Sequence, residues 1–129
     1  MECSGCGHFT ALAAILAGPT GSSTGLETRA DLRRLGAENL SRLLTGLPGT
    51  APQLTEDDVQ ALRAARFIHR NCFLADPDDK LYDRIHVGAS CPVGYLNRIV
   101  AMLKPKGIAV LPSGASGRAS GRLVAVAGC

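Results

Sequence analysis

The sequence predicts an α/β domain, a mostly parallel sheet with helices on both faces. Three observations predict it. Helical and strand patterns alternate along the chain, as they must where parallel strands are joined by helical crossovers. The run "IAVLP" at 108–112 is continuously apolar, in the manner of a buried parallel strand. Small or polar residues recur where predicted strands meet turns: Ser4-Gly5-Cys6-Gly7, Glu27, Asn71-Cys72 and Gly88-Ala89-Ser90. In open α/β sheets ligands sit beyond the carboxyl ends of the strands, so these positions mark one candidate site.

The elements follow in order. Phe9 to Ala17 is apolar and alanine-rich, a helix that Gly18-Pro19-Thr20-Gly21 ends. "SSTGLE" reads as a short strand closing on Glu27. "TRADLRRLGAENLSRLL" is an amphipathic helix. Leu32, Leu35, Leu40, Leu43 and Leu44 form one face, and Arg33, Arg34, Glu38 and Arg42 the other. "TGLPGTAPQ" has loop composition. Thr55 with Asp58 resembles a capping box, opening a helix over "EDDVQALRAA". "RFIHRNCFL" is a strand ending near Asn71, "ADPDDK" a turn, and "YDRIHVGAS" a strand. Pro92 opens a helix running roughly to Leu103, "KPKG" turns the chain, and "IAVLP" follows. "SGASGRASG" is flexible by composition, and "RLVAVAG" is a last strand. No internal repeat is present.

Bulk properties narrow the classes. At 129 residues the chain is one domain, 1–129, able to bury a core without disulfides or metal. Its net charge of +3 and its scattered arginines, without interleaved aromatics, argue against nucleic acid. No apolar run is long enough to span a bilayer, and no basic stretch precedes an apolar one at the N-terminus, so neither a membrane partner nor a secretory signal is expected. Five irregularly spaced cysteines fit a reducing compartment, and the expected location is cytoplasmic.

The opening "MECSGCGHFTALAAIL" has several readings. Glycines let a backbone approach a ligand, and the helix that follows offers N–H groups at its start. Glu27, about twenty residues later, is placed as the acid that accepts hydrogen bonds from a ribose in doubly wound folds. The plainer reading of Glu27 is an acid favoured at a helix N-terminus. Cys3 and Cys6 also form a C-x-x-C pair. A zinc site would need two further ligands, and His8 is too close to Cys6 for an ordinary knuckle. A redox pair needs a helix start, which is present. Small buried thiols in a tight turn are the default, and no metal is expected. His86 and Cys91 read as a packed histidine and a buried thiol rather than a catalytic pair. Asp76, Asp78 and Asp79 read as a solvated turn.

"ECSGCGHFTALAAILAGPTGSSTGLE" resembles the first S-adenosylmethionine motif of the protein-L-isoaspartate O-methyltransferase family. "YDRIHVGASCP" followed by "LKPKGIAVLPSG" resembles that family more specifically, and the likeness covers most of the chain. It implies a Rossmann-like methyltransferase fold and an enzyme that methylates isoaspartyl carboxylates of damaged proteins, with S-adenosylmethionine as cofactor. By position, Ser4, Gly5, Cys6 and Gly7 would line the methionine end and Glu27 would hold the ribose. Asn71 and Cys72 stand where an acid–glycine pair is usual near the adenine, and Gly88 completes the implied cofactor set. No catalytic residue is implied: a carboxylate is already ionised at neutral pH, so no general base is required.

The chain departs from the pattern at Cys3, where a glycine is usual, and at Asn71-Cys72. It also begins inside the first motif. The resemblance therefore implies an N-terminally truncated, partial domain with its first strand largely missing, inactive on its own. "FIHRNCF" with "YDRIHVGAS" resembles the branch called isoaspartate methyltransferase domain-containing proteins, which is associated with ubiquitin-ligase adaptors. The alternative function is accordingly a cofactor-binding interaction module without turnover, with ubiquitin-ligase components as partners in place of isoaspartyl proteins.

Overall fold

The structure is a computed structural model, and it describes residues 2–3, 5–46, 53–75, 82–89, 91–113 and 122–127. The chain forms two compact units, one of residues 4–70 and one of residues 1–3 with 71–129. Strand β1 (Glu2–Cys3) belongs to the second of these.

The 4–70 unit alternates helix and strand. Helix α1 (His8–Ala17) starts directly after the glycine turn and stops at Gly18, whose φ of 76° and two N–H bonds back to Ala14 and Ile15 close the last turn. Strand β2 (Thr24–Glu27), helix α2 (Ala30–Thr45), helix α3 (Glu56–Arg63) and strand β3 (Arg66–His69) follow. β2 and β3 are parallel, with Thr24 opposite Arg66 and Glu27 opposite His69. The core is Thr10 and Ala14 of α1, Leu26 of β2, and Ala61 and Leu62 of α3. α3 begins with the expected capping box: Thr55 Oγ1 accepts from Asp58 N at 3.2 Å, and Asp58 Oδ2 accepts from Thr55 N at 2.9 Å.

Two expectations for this unit change. The leucine stripe of α2 is not its buried contact. Gly36 is the buried residue of the helix, and Leu32, Leu40, Leu43 and Leu44 are half-buried while Leu35 is exposed. β3 ends at His69 rather than near Asn71, because Cys72–Leu74 winds into a 3₁₀ turn.

In the other unit, β1 lies beside β4 (Tyr82–His86). A 3₁₀ turn at Val93–Tyr95 leads into helix α4 (Leu96–Ala101). Strand β5 (Leu103–Ser113) runs parallel to β4, and β6 (Arg122–Ala127) pairs antiparallel with β5. α4 is shorter than the helix expected to Leu103, because Leu103 already pairs with Tyr82. "KPKG" is a loop bulging from β5: the register passes from Tyr82–Leu103 to Arg84–Ile108, and Lys106 takes a φ of 63°. "IAVLP" is parallel to β4 as expected but not buried throughout. Ala109 and Leu111 are buried and Ile108 is exposed, the two-residue alternation of a pleated strand. The core here is Ile85, Val87, Ile99, Met102, Ala109 and Leu111. The expectations for "LPGTAP" (47–52), "DPDDK" (76–80) and the glycine-rich stretch 114–121 lie outside the described residues.

Candidate functional site

The glycine turn and Glu27 meet within the 4–70 unit. Gly5 and Gly7 adopt left-handed backbone, with φ of 47° and 87°, which is why the turn needs glycine at both places. Gly7 is also crowded: a Cβ there would stand 2.8 Å from Gly36 Cα and 3.0 Å from Phe67 Cε1. The Gly7 carbonyl accepts the first bond of α1, from Ala11 N at 3.0 Å. No side chain caps the N-terminus of α1 and no acid stands in its first turn. The positive end of the helix dipole therefore carries no anionic side chain of its own.

β2 delivers Glu27 to the turn. Glu27 Oε2 accepts from Gly5 N at 3.0 Å, and Oε1 accepts from Arg29 N at 3.0 Å and Thr28 Oγ1 at 3.3 Å. Partial burial pushes the carboxyl pKa up. The N–H groups of Arg29 and Gly5 and the Thr28 hydroxyl outweigh that and hold it below the usual glutamate range. The loop after Glu27 is held from β3: Arg70 N donates to the Glu27 carbonyl at 2.9 Å, and His69 Nε2 donates to the Thr28 carbonyl at 2.8 Å.

Sequence-assigned residues thus divide. Gly5, Cys6, Gly7 and Glu27 are brought together, and Ser4 lies outside the described residues. Asn71, Cys72 and Gly88 belong to the other unit. Asn71 Oδ1 accepts from Phe73 N at 2.9 Å and so caps the 3₁₀ turn, Cys72 is buried, and Gly88 is exposed beyond the end of β4. Thr28 and Asn39 were missed by sequence reasoning. Asn39 Nδ2 donates to the Cys6 carbonyl at 3.0 Å across 33 residues, a separation no local pattern reveals.

The cysteines need one correction. Cys72 and Cys91 are buried, but Cys6 is exposed, because the turn makes its tertiary contacts through backbone rather than through the thiol. Cys91 is 1% exposed, and burial pushes its thiol pKa up, so it stays neutral and is a poor nucleophile. Among the described residues no group of three or more His, Cys, Asp or Glu is placed to hold a metal ion. None of the described helices is long and apolar enough to cross a membrane.

No protein-family model matches the chain. In sequence it is 32% identical over 111 residues to protein-L-isoaspartate O-methyltransferase of Triticum aestivum, a match covering 86% of this chain and 43% of that protein. In structure it superposes with a TM-score of 0.69 on a Plasmodium falciparum protein described as a protein-L-isoaspartate O-methyltransferase (beta-aspartate methyltransferase), in complex with S-adenosyl-L-homocysteine. That alignment is 24% identical and covers 98% of this chain and 55% of the other. The chain thus spans about half the length of the proteins it matches, and it has their methyltransferase fold. The sequence match over most of this chain, together with that shared fold, makes the protein a relative of the protein-L-isoaspartate O-methyltransferase family.

Proposed function

We propose that this protein is an S-adenosylmethionine-dependent carboxyl methyltransferase acting on isoaspartyl sites of proteins, in keeping with the family expectation. One observation carries the reading: the Glu27 carboxylate at the end of β2 is hydrogen-bonded to the Gly5 amide of the glycine turn. That bond sets an acceptor for ribose hydroxyls beside a turn through which a ligand can approach backbone.

The donor set fits such a ligand. An ionised carboxylate offers about four acceptor sites. Of the hydrogen bonds Glu27 receives from Gly5 N, Arg29 N and the Thr28 hydroxyl, the last, at 3.3 Å, is the longest and most readily displaced. Displacing that hydroxyl would leave Oε1 an acceptor for a ribose hydroxyl. The uncapped N-terminus of α1 favours the carboxylate at the methionine end. Asn71, Cys72 and Gly88 remain candidates named by sequence position.

S-adenosylmethionine, when bound, supplies an electrophilic methyl group on a cationic sulfur. The substrate carboxylate is ionised at neutral pH, so the protein's share is binding and orientation rather than proton transfer. The substrates on this reading are isoaspartyl-containing proteins of the cytoplasm, a compartment in keeping with the free thiols of Cys6, Cys72 and Cys91.

Calorimetry of the full chain with S-adenosylhomocysteine tests the reading. Wild type should bind, and Glu27→Ala should weaken binding by about 1.5–3 kcal/mol, roughly 10- to 150-fold in Kd, the loss of charge-assisted hydrogen bonds. Equal affinities would remove Glu27 from the site, and no binding by wild type would overturn the cofactor assignment.

A further inference from the structure

α2 carries a glycine where a helix former would be expected. Gly36 stands in the interior of a helix spanning Ala30–Thr45 and is its buried residue. Interior glycine weakens a helix relative to alanine, so a packing reason should exist. The reason is visible around it. A Cβ on Gly36 would stand 2.9 Å from Phe67 Cε1 and 3.4 Å from Gly7 Cα. One on Gly7 would stand 2.8 Å from Gly36 Cα and 3.0 Å from the Gly36 carbonyl oxygen. The two glycines meet backbone to backbone, with the Phe67 ring of β3 as the third wall.

Asn39 lies three residues further along, on the same face of α2. Its Nδ2 donates to the Cys6 carbonyl at 3.0 Å. Each residue of the turn is then tied by a different element. Gly5 N is held by Glu27 of β2, the Cys6 carbonyl by Asn39 of α2, and the Gly7 carbonyl by Ala11 N of α1.

We propose that α2 is the strut of the glycine turn, with Asn39 and Gly36 as positioning residues that hold Gly5 in register with Glu27 for the ligand. This rests on the cofactor reading above for the ligand, but not for the strut itself. Neither residue touches the Glu27 carboxylate. Both act through the turn: Asn39 fixes the plane of the Cys6–Gly7 peptide, and Gly36 sets how deep Gly7 sits.

The test uses the full chain as wild type, Asn39→Ala, Asn39→Asp and Gly36→Ala, with Arg42→Ala as an exposed control on the same helix. Two readouts need no ligand: exchange of the Gly5 amide proton, and titration of the Glu27 carboxyl followed by NMR. Both Asn39 variants should speed Gly5 exchange and move the Glu27 titration up toward the ordinary glutamate value. Arg42→Ala should move neither. The third readout is the Kd for S-adenosylhomocysteine, which should rise about 2- to 12-fold in Asn39→Ala, the loss of one neutral hydrogen bond. Gly36→Ala should act in the same direction, and if it fails to fold the Asn39 variants still decide. A merely structural role for Asn39 would lower the melting temperature while leaving Gly5 exchange and Glu27 titration at wild-type values, and that result overturns the proposal. If wild type binds no S-adenosylhomocysteine, the cofactor reading falls, and the two ligand-free readouts still decide the strut.

Discussion

Glu27 is held mostly by N–H groups, and this gives it a pH signature. Its carboxyl titrates below the ordinary value of about 4.5 in the folded chain, since the Arg29 and Gly5 amides and the Thr28 hydroxyl together outweigh the cost of burial. A lowered folded pKa means that the carboxylate stabilises the fold above the unfolded value, and that this contribution drains away as pH falls through the folded one. Urea unfolding of wild type and Glu27→Gln should therefore differ most above pH 4.5, with the gap closing as the pH is lowered further. A gap that stays constant from neutral to acid would show that the amides do not favour the ionised form. Glu27 as a strand-end acid was legible in the sequence. That one of its partners would be the Gly5 amide, 22 residues away, was not.

The helices of the 4–70 unit are specified by different means. α3 has a complete capping box at Thr55 and Asp58, with Glu56, Asp57 and Asp58 all in its first turn where the dipole favours acids. α2 has no side-chain cap, and Asp31 and Arg42 complement its dipole at the two ends. Its exposed Arg34–Glu38 pair at 3.7 Å adds little. Thr55→Ala should cost about 1 kcal/mol of stability, and Thr55→Ser should recover most of it, read from thermal unfolding. If Thr55→Ala melts like wild type, α3 is held by Ala61 and Leu62 in the core and not by its cap. The boundaries that sequence reasoning misplaced lie where a pairing decides. Leu103 left the expected helix because Tyr82 pairs with it, and "KPKG" became a bulge because β5 pairs with β4 on both sides of the loop.

At the scale of the molecule, the matches in sequence and structure span about half the length of the proteins concerned. The substrate assignment is therefore best tested directly. With radiolabelled S-adenosylmethionine, any label transferred should enter an isoaspartyl peptide in preference to its aspartyl counterpart, as an ester that mild base releases, while no transfer by residues 1–129 alone is the outcome the family resemblance implies. Equal labelling of the two peptides, or base-stable label, would exclude isoaspartyl carboxyl methylation.

The sequence by itself determined the order and type of the elements from α1 onward, the capping box at Thr55, the glycine turn ahead of α1 and the acid at the end of β2. Each rests on a pattern a few residues long: a period of 3.6 or 2, a cap at a spacing of three, a glycine where φ turns positive. Only the tertiary structure decided what those patterns meet. Asn39 reaches Cys6 across 33 residues, Gly36 seats Gly7, and β6 pairs antiparallel with β5. These contacts depend on the path of the chain between distant segments. Local propensity carries no record of that path, and the apolar face of α2 reads the same whether leucine or a buried glycine makes the contact.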